Sequence, residues 1–243
     1  MKKILTALAT GMLGCMTMMG QTDDTKTIKR IEATPADYIT LLNNNGYEAF
    51  AFDISALSDA QYYITFKVKE YRNGEETNDD VSGGFYSFTN MTLVSEFPEE
   101  SQSEIKPEEM ADPERGIYSM SNKIMIGFIP AVNDSIRPVM FDVDEMGSTG
   151  VSLKMEPLYH DNDSVNGEKF YWYMPKPFKP SELTVGKFIP LVLYGSGWYD
   201  ARYGIHRFCG EKELEPDMSS KIIKEIPNYY IIGIELHLVK ELQ

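Results

Sequence analysis

Both tryptophans of this 243-residue chain stand in aromatic clusters, Tyr171-Trp172-Tyr173 and Gly197-Trp198-Tyr199-Asp200-Ala201-Arg202-Tyr203. Sugar rings stack on such faces, while carboxylates and guanidinium groups hydrogen-bond hydroxyls. Trp172, Trp198, Tyr199, Asp200 and Arg202 are therefore the candidate ligand-binding residues. Strand geometry competes with that reading, because neighbouring side chains point to opposite faces and Trp172 or its neighbours must enter a core. Core packing is the leading expectation for these aromatics, and a glycan platform is the alternative.

Other chemistries fail on spacing. Ser196 lies in Gly195-Ser196-Gly197, but a nucleophile elbow needs glycines two residues either side, where Tyr194 and Trp198 stand. His160, His206 and His237 are far apart and form no metal-ligand pattern. In HDNDSVNGE, residues 160–168, Asp161 and Asp163 match the first calcium-loop positions. Val165 then occupies a ligand position and Trp172 replaces the bidentate glutamate, so a polar hairpin turn at Asn166-Gly167 is the better reading. Glu99-Glu100, Glu108-Glu109 and Asp79-Asp80 are adjacent acids in loops, where solvation is expected rather than the fixed separation that glycosidases need. No phosphate-cradling glycine loop occurs. The expectation is no catalytic residue, no metal and no cofactor.

The elements that would position the aromatics are mostly strands. In QYYITFKVKEY, residues 61–71, Tyr62, Ile64, Phe66 and Val68 alternate with Thr65, Lys67 and Lys69, and Asn73-Gly74 marks a hairpin turn. Further strands are expected at 84–96, 122–130, 138–144, 150–156, 168–174, 186–195, 203–209 and 229–240. FIPLVLY (188–194) and the start of YYIIGIELHLV (229–239) are apolar on both faces and read as central. One helix is expected: Thr34 as N-cap, Pro35 at the first turn, Asp37 on the positive dipole end, Tyr38, Leu41 and Leu42 on one face, and a stop at Asn43-Asn44-Asn45-Gly46. Residues 97–116 read as a long loop with a helical turn near Pro107-Glu108-Glu109-Met110, and as the place of a split if there are two domains. The pattern predicts an all-β chain, an antiparallel β-sandwich of jelly-roll or immunoglobulin-like type with one short N-terminal helix, in a single domain over 34–243.

The N-terminus reads as an export signal. Lys2 and Lys3 precede an uncharged stretch, residues 4–20, too short and too glycine-interrupted for a membrane anchor. Cleavage between Gly20 and Gln21 is favoured over lipidation of Cys15, because Met16, Met18 and Met19 stand where a lipoprotein begins a polar tether. Residues 21–33 then read as a tether or edge segment. Both routes place the chain in the periplasm or at the cell surface of a Gram-negative bacterium, with membrane attachment only through Cys15. The net charge of −14, carried by 37 acidic and 23 basic residues, disfavours nucleic acid and anionic lipid as partners. Cys209 is expected to be a buried small hydrophobe.

The runs FDISALSDAQYYITFKVKEYRNG, KPSELTVGKFIPLVLYGSGWYD and RFCGEKELEPDMSS with PNYYIIGIELHLV resemble a group of uncharacterised exported proteins of Bacteroidetes. That resemblance implies an exported domain of unknown function and transfers no catalytic residue. The combined expectation is a non-enzymatic envelope or cell-surface protein that works by binding or assembly with an envelope protein or glycan. Glycan recognition is the alternative, and a hydrolase with a dispersed site the third reading.

Overall fold

The computed structural model describes residues 32–58, 60–77, 87–119, 121–143, 146–158 and 171–241. The expected export signal with Cys15, His160, the 160–168 loop and Asp79-Asp80 lie outside the described residues.

The chain opens with helix α1 (Pro35–Asn44), where Asp37 accepts hydrogen bonds from the Thr34 amide at 2.7 Å and the Thr34 hydroxyl at 2.8 Å. These two bonds hold the Asp37 carboxyl below its usual range. The expected apolar face exists but is not buried: Tyr38, Leu41 and Leu42, with Ile39 beside them, are 48–59 % exposed.

Strands follow in the order β1 (Glu48–Asp53), β2 (Ala60–Arg72), β3 (Glu75–Glu76), β4 (Ser87–Thr89), β5 (Met91–Leu93), β6 (Ile117–Ser119) and β7 (Lys123–Phe128). They continue as β8 (Ile136–Val143), β9 (Gly147–Lys154), β10 (Tyr173–Pro177), β11 (Phe188–Ser196), β12 (Trp198–Asp200), β13 (Ile205–Arg207) and β14 (Asn228–Glu241). One antiparallel sheet has the order β1-β7-β8-β9, a larger one runs β10-β11-β14-β2-β3 with β4 also on β2, and β5–β6 and β12–β13 are separate pairs. β1, unforeseen in the sequence, is an edge strand whose residues are only half-buried or exposed. The β2–β3 turn is the expected one, with positive φ at both Asn73 (52°) and Gly74 (83°). The loop over 97–116 carries a short helical turn, α2 (Glu99–Gln102), and a 3-10 turn at Pro107–Glu109.

Both large sheets feed one core. Ile124, Ile126, Phe128, Val139 and Phe141 of the smaller sheet share a buried cluster with Ile64, Phe66, Val192, Ile232 and Ile234 of the larger. Phe66 stacks on Phe141 across it at 4.6 Å. The larger sheet is also covered on its other face, where Leu193, Tyr229 and Ile231 pack against Phe178, Leu214, Ile222, Ile223 and Ile226. That second layer explains the two-sided apolar runs of β11 and β14: β14 lies between β11 and β2 and is buried on both faces. One expectation for β2 is corrected by its neighbour β4, since Thr65 is buried and hydrogen-bonds Ser87 of that strand instead of facing water.

Candidate functional site

A cavity of about 290 Å³ opens where the start of β8, the end of β9 and the start of β10 converge over β11, and it is lined by Asp134, Arg137, Met155, Tyr171, Trp172 and Tyr194 among others. Each wall follows from local structure. Along β8 alternate residues are buried, and Arg137 occupies the same inward row as Val139, Phe141 and Val143. A guanidinium is thereby carried into a position that alternation reserves for apolar side chains. Its Nη2 donates to the Gly46 carbonyl at 2.7 Å, and its carbon lies over the rings of Phe128 and Tyr194 at 5.9 and 5.7 Å. Asp134, with φ of 57° in the turn before β8, stands exposed at the rim.

Trp172 precedes β10, and its carbonyl accepts the Gly197 amide at 2.8 Å, which extends the β10–β11 ladder one step. Gly197 has no side chain to keep the indole away: a Cβ there would fall 2.8 Å from Trp172 Cε3 and 3.0 Å from the Arg207 carbonyl oxygen. One region of the half-buried indole therefore rests on bare backbone while the residue lines the cavity. Tyr173 packs against Tyr194 at 5.4 Å, and its hydroxyl accepts the Glu156 amide at 3.0 Å. Burial pushes the Tyr173 phenol up to about 12 and raises Tyr194 further still, so both phenols are neutral hydroxyls at physiological pH. The cavity combines aromatic walls, one cation at its inner end and one carboxylate at its mouth.

The second predicted cluster is built differently. Trp198 is half-buried on the second apolar layer, with Phe208 at 6.5 Å. Tyr199 turns to the opposite face of β12 and meets His206 edge-on at 5.3 Å. Asp200 is committed to its own hairpin, pairing with Arg207 and accepting the Arg202 amide at 3.1 Å, and Arg207 is the main cause of its lowered pKa. Arg202 is exposed. The structure thus brings Trp172 into a cavity with charged partners, and sets Trp198, Tyr199, Asp200 and Arg202 on a hairpin that lines neither this cavity nor the larger groove described next.

That groove, about 600 Å³ between edge strand β1 and β10–β11, is walled by Phe50, Phe52, Phe178, Ile189 and Leu191. Lys179 of its lining is paired with Glu215, and the groove's remaining charged side chains, Asp53 and Glu213, are both acidic.

Residues that could do hydrolytic chemistry are placed apart. Ser196 is fully buried and its hydroxyl accepts the Asn228 amide. His237 stands 3.8 Å from Glu235 on β14, beyond hydrogen-bond reach, and neither it nor His206 lines either cavity. Glu99, Glu100, Glu108 and Glu109 are exposed. Cys209 is exposed, which overturns its expected burial: it follows β13 on the way to the covering layer instead of lying within it. Among the described residues no group of histidine, cysteine and acidic side chains could hold a metal ion, and no helix is long and apolar enough to cross a membrane.

Sequence reasoning missed Arg137, Asp134 and Tyr194. The signal for Arg137 was present: extending the 138–144 strand two residues back puts an arginine on the inward row.

Fold and site together define a mostly β chain of antiparallel sheets with an aromatic, charge-bearing cavity at one end of the core they share. The chain belongs to the family DUF5041, a domain of unknown function, whose match spans residues 17–238. No curated protein and no solved structure matches it.

Proposed function

We propose that this chain is an exported, non-enzymatic binding protein, that its two sheets form an open β-sandwich, and that its ligand is a glycan held in the Trp172–Arg137 cavity. The observation that carries the reading is the composition of that cavity: an indole, further aromatic rings, a guanidinium and a carboxylate around about 290 Å³. A pyranose presents an apolar face to stack and a ring of hydroxyls to donate and accept, and these groups match both demands. Binding is favoured over catalysis because, among the described residues, Asp134 is the only carboxylate lining the cavity and neither a histidine nor a serine joins it. The export signal in residues 1–20 supports a ligand met outside the cytoplasm.

The test is tryptophan emission and melting temperature across a broad glycan panel. The expected result is a saturable emission change with at least one sugar, retained in Trp198→Phe and lost in Trp172→Phe. A flat response across the panel would sink the proposal.

A further inference from the structure

Two charged side chains are buried among the described residues, Glu70 and Arg137, and the fold satisfies them unequally. Glu70 accepts from Nε and Nη2 of Arg72 at 3.1 and 2.9 Å, a two-bonded pair. Arg137 receives one neutral carbonyl, from Gly46, while its paired carboxylate, Glu48, stays 3.9 Å away. The Arg137 Nε is sealed from solvent and meets no acceptor. Burial pushes the Glu48 carboxyl up and the Arg137 charge pulls it back only in part, as a loose pair would. Arg137 therefore brings to the cavity a positive charge that the protein itself neutralises incompletely.

Burying a cation without a close counter-charge is costly, and aromatic faces recover only a fraction of that cost. An anion supplied from outside recovers more. We infer that the cavity takes a sugar acid, a pyranose bearing a carboxylate, with its ring against Trp172 and its carboxylate received by Arg137. This rests on the glycan reading above and names the class of glycan. With Nε sealed, the ligand meets the Nη edge of the guanidinium, whose planar pair of donors suits a carboxylate better than a lone hydroxyl does. Asp134 at the rim gives the site polarity: it accepts hydroxyls at the outer end and repels a second carboxylate there. The net charge of −14 repels polyanions in general, so a preference for acidic sugars has to originate in this cavity.

The experiment is calorimetric titration of the full chain with glucuronate, galacturonate and their short oligomers, beside glucose, galactose and the methyl ester of glucuronate. At least one acid is expected to bind about 10-fold tighter than both its neutral counterpart and the ester, a difference of about 1.4 kcal/mol. Arg137→Lys keeps the charge but loses the fork, and is expected to reduce that preference while neutral sugars keep their affinity. Neutral sugars binding as tightly as the acids would overturn the acid assignment and leave glycan binding standing. No binding by any sugar in this set or the broad panel would remove both. Should Arg137→Lys fail to fold, the comparison of acid with ester on the unaltered chain still decides.

Discussion

The two tryptophan regions start from similar sequence and end in different physical situations. Trp172 and Trp198 each sit among tyrosines, within one residue of β10 and at the start of β12. Around Trp172 strands of both large sheets meet, a cation enters from β8 of the smaller sheet, and the indole lines a cavity. Around Trp198 a three-residue hairpin strand lies on an apolar layer, and the nearby carboxylate is already spent on Arg207. Aromatic content alone does not make a binding site. What separates the two is whether another part of the chain brings to the same space a charged group that its own contacts satisfy incompletely.

Mutation can break this comparison. The largest effect is expected from truncating the packed indole: Trp198→Ala should cost about 2 kcal/mol, below the ~3–5 kcal/mol of a fully buried aromatic because Trp198 is only half-buried. Trp172→Ala should cost about half as much, since part of its surface faces a cavity. Urea denaturation of both variants checks the order, and a larger loss at Trp172 would mean that it is core after all.

Gly197 joins the two regions and sharpens the contrast. Gly197→Ala is expected to destabilise by about 1–2 kcal/mol, because the added Cβ meets both an indole and a backbone carbonyl that can yield only by moving. It should also shift the emission of Trp172, read in a Trp198→Phe background. Unchanged stability and emission would show that the indole does not rest on that glycine.

The smallest effect expected is alkaline. Tyr173 and Tyr194 have phenol pKa values raised in the fold from an unfolded value near 10.0. Above pH 10 the unfolded chain therefore loses these protons first, and stability present below that pH falls progressively as pH rises toward about 12. Denaturation midpoints between pH 8 and 11.5 test the slope, which Tyr173→Phe should reduce. A slope unaffected by that change would place the alkaline loss elsewhere.

Much of the architecture was legible. Alternation located β2 and β9, runs apolar on both faces located β11 and β14, strands were also expected where β7 and β8 lie, the Asn73-Gly74 turn fell where positive φ demands it, and Thr34-Pro35-Asp37 started α1. β1 escaped notice because EAFAFD mixes alanines and phenylalanines at an exposed edge, and its half-buried pattern gives a weak signal. Thr65 looked solvated because the strand that pairs beside it, β4, is separate in sequence and short. At the site, Trp172 could be singled out by type, whereas Arg137 required a correct strand start to be seen as inward.

The amino-acid sequence by itself determined periodicity, turns and helix capping, which depend on residues a few positions apart: a mostly β chain with one helix near its N-terminus. It also determined the charge that sets the chain against polyanions. Tertiary structure decided which aromatic cluster became a cavity. It brought Arg137 over the ring of Tyr194, 57 positions further along, and set Trp172 against Gly197, and such long-range juxtapositions leave no local trace in either stretch. The same distance effect hid the second apolar layer, since Leu193 and Ile231 reveal why they are apolar only once residues 214–226 close over them.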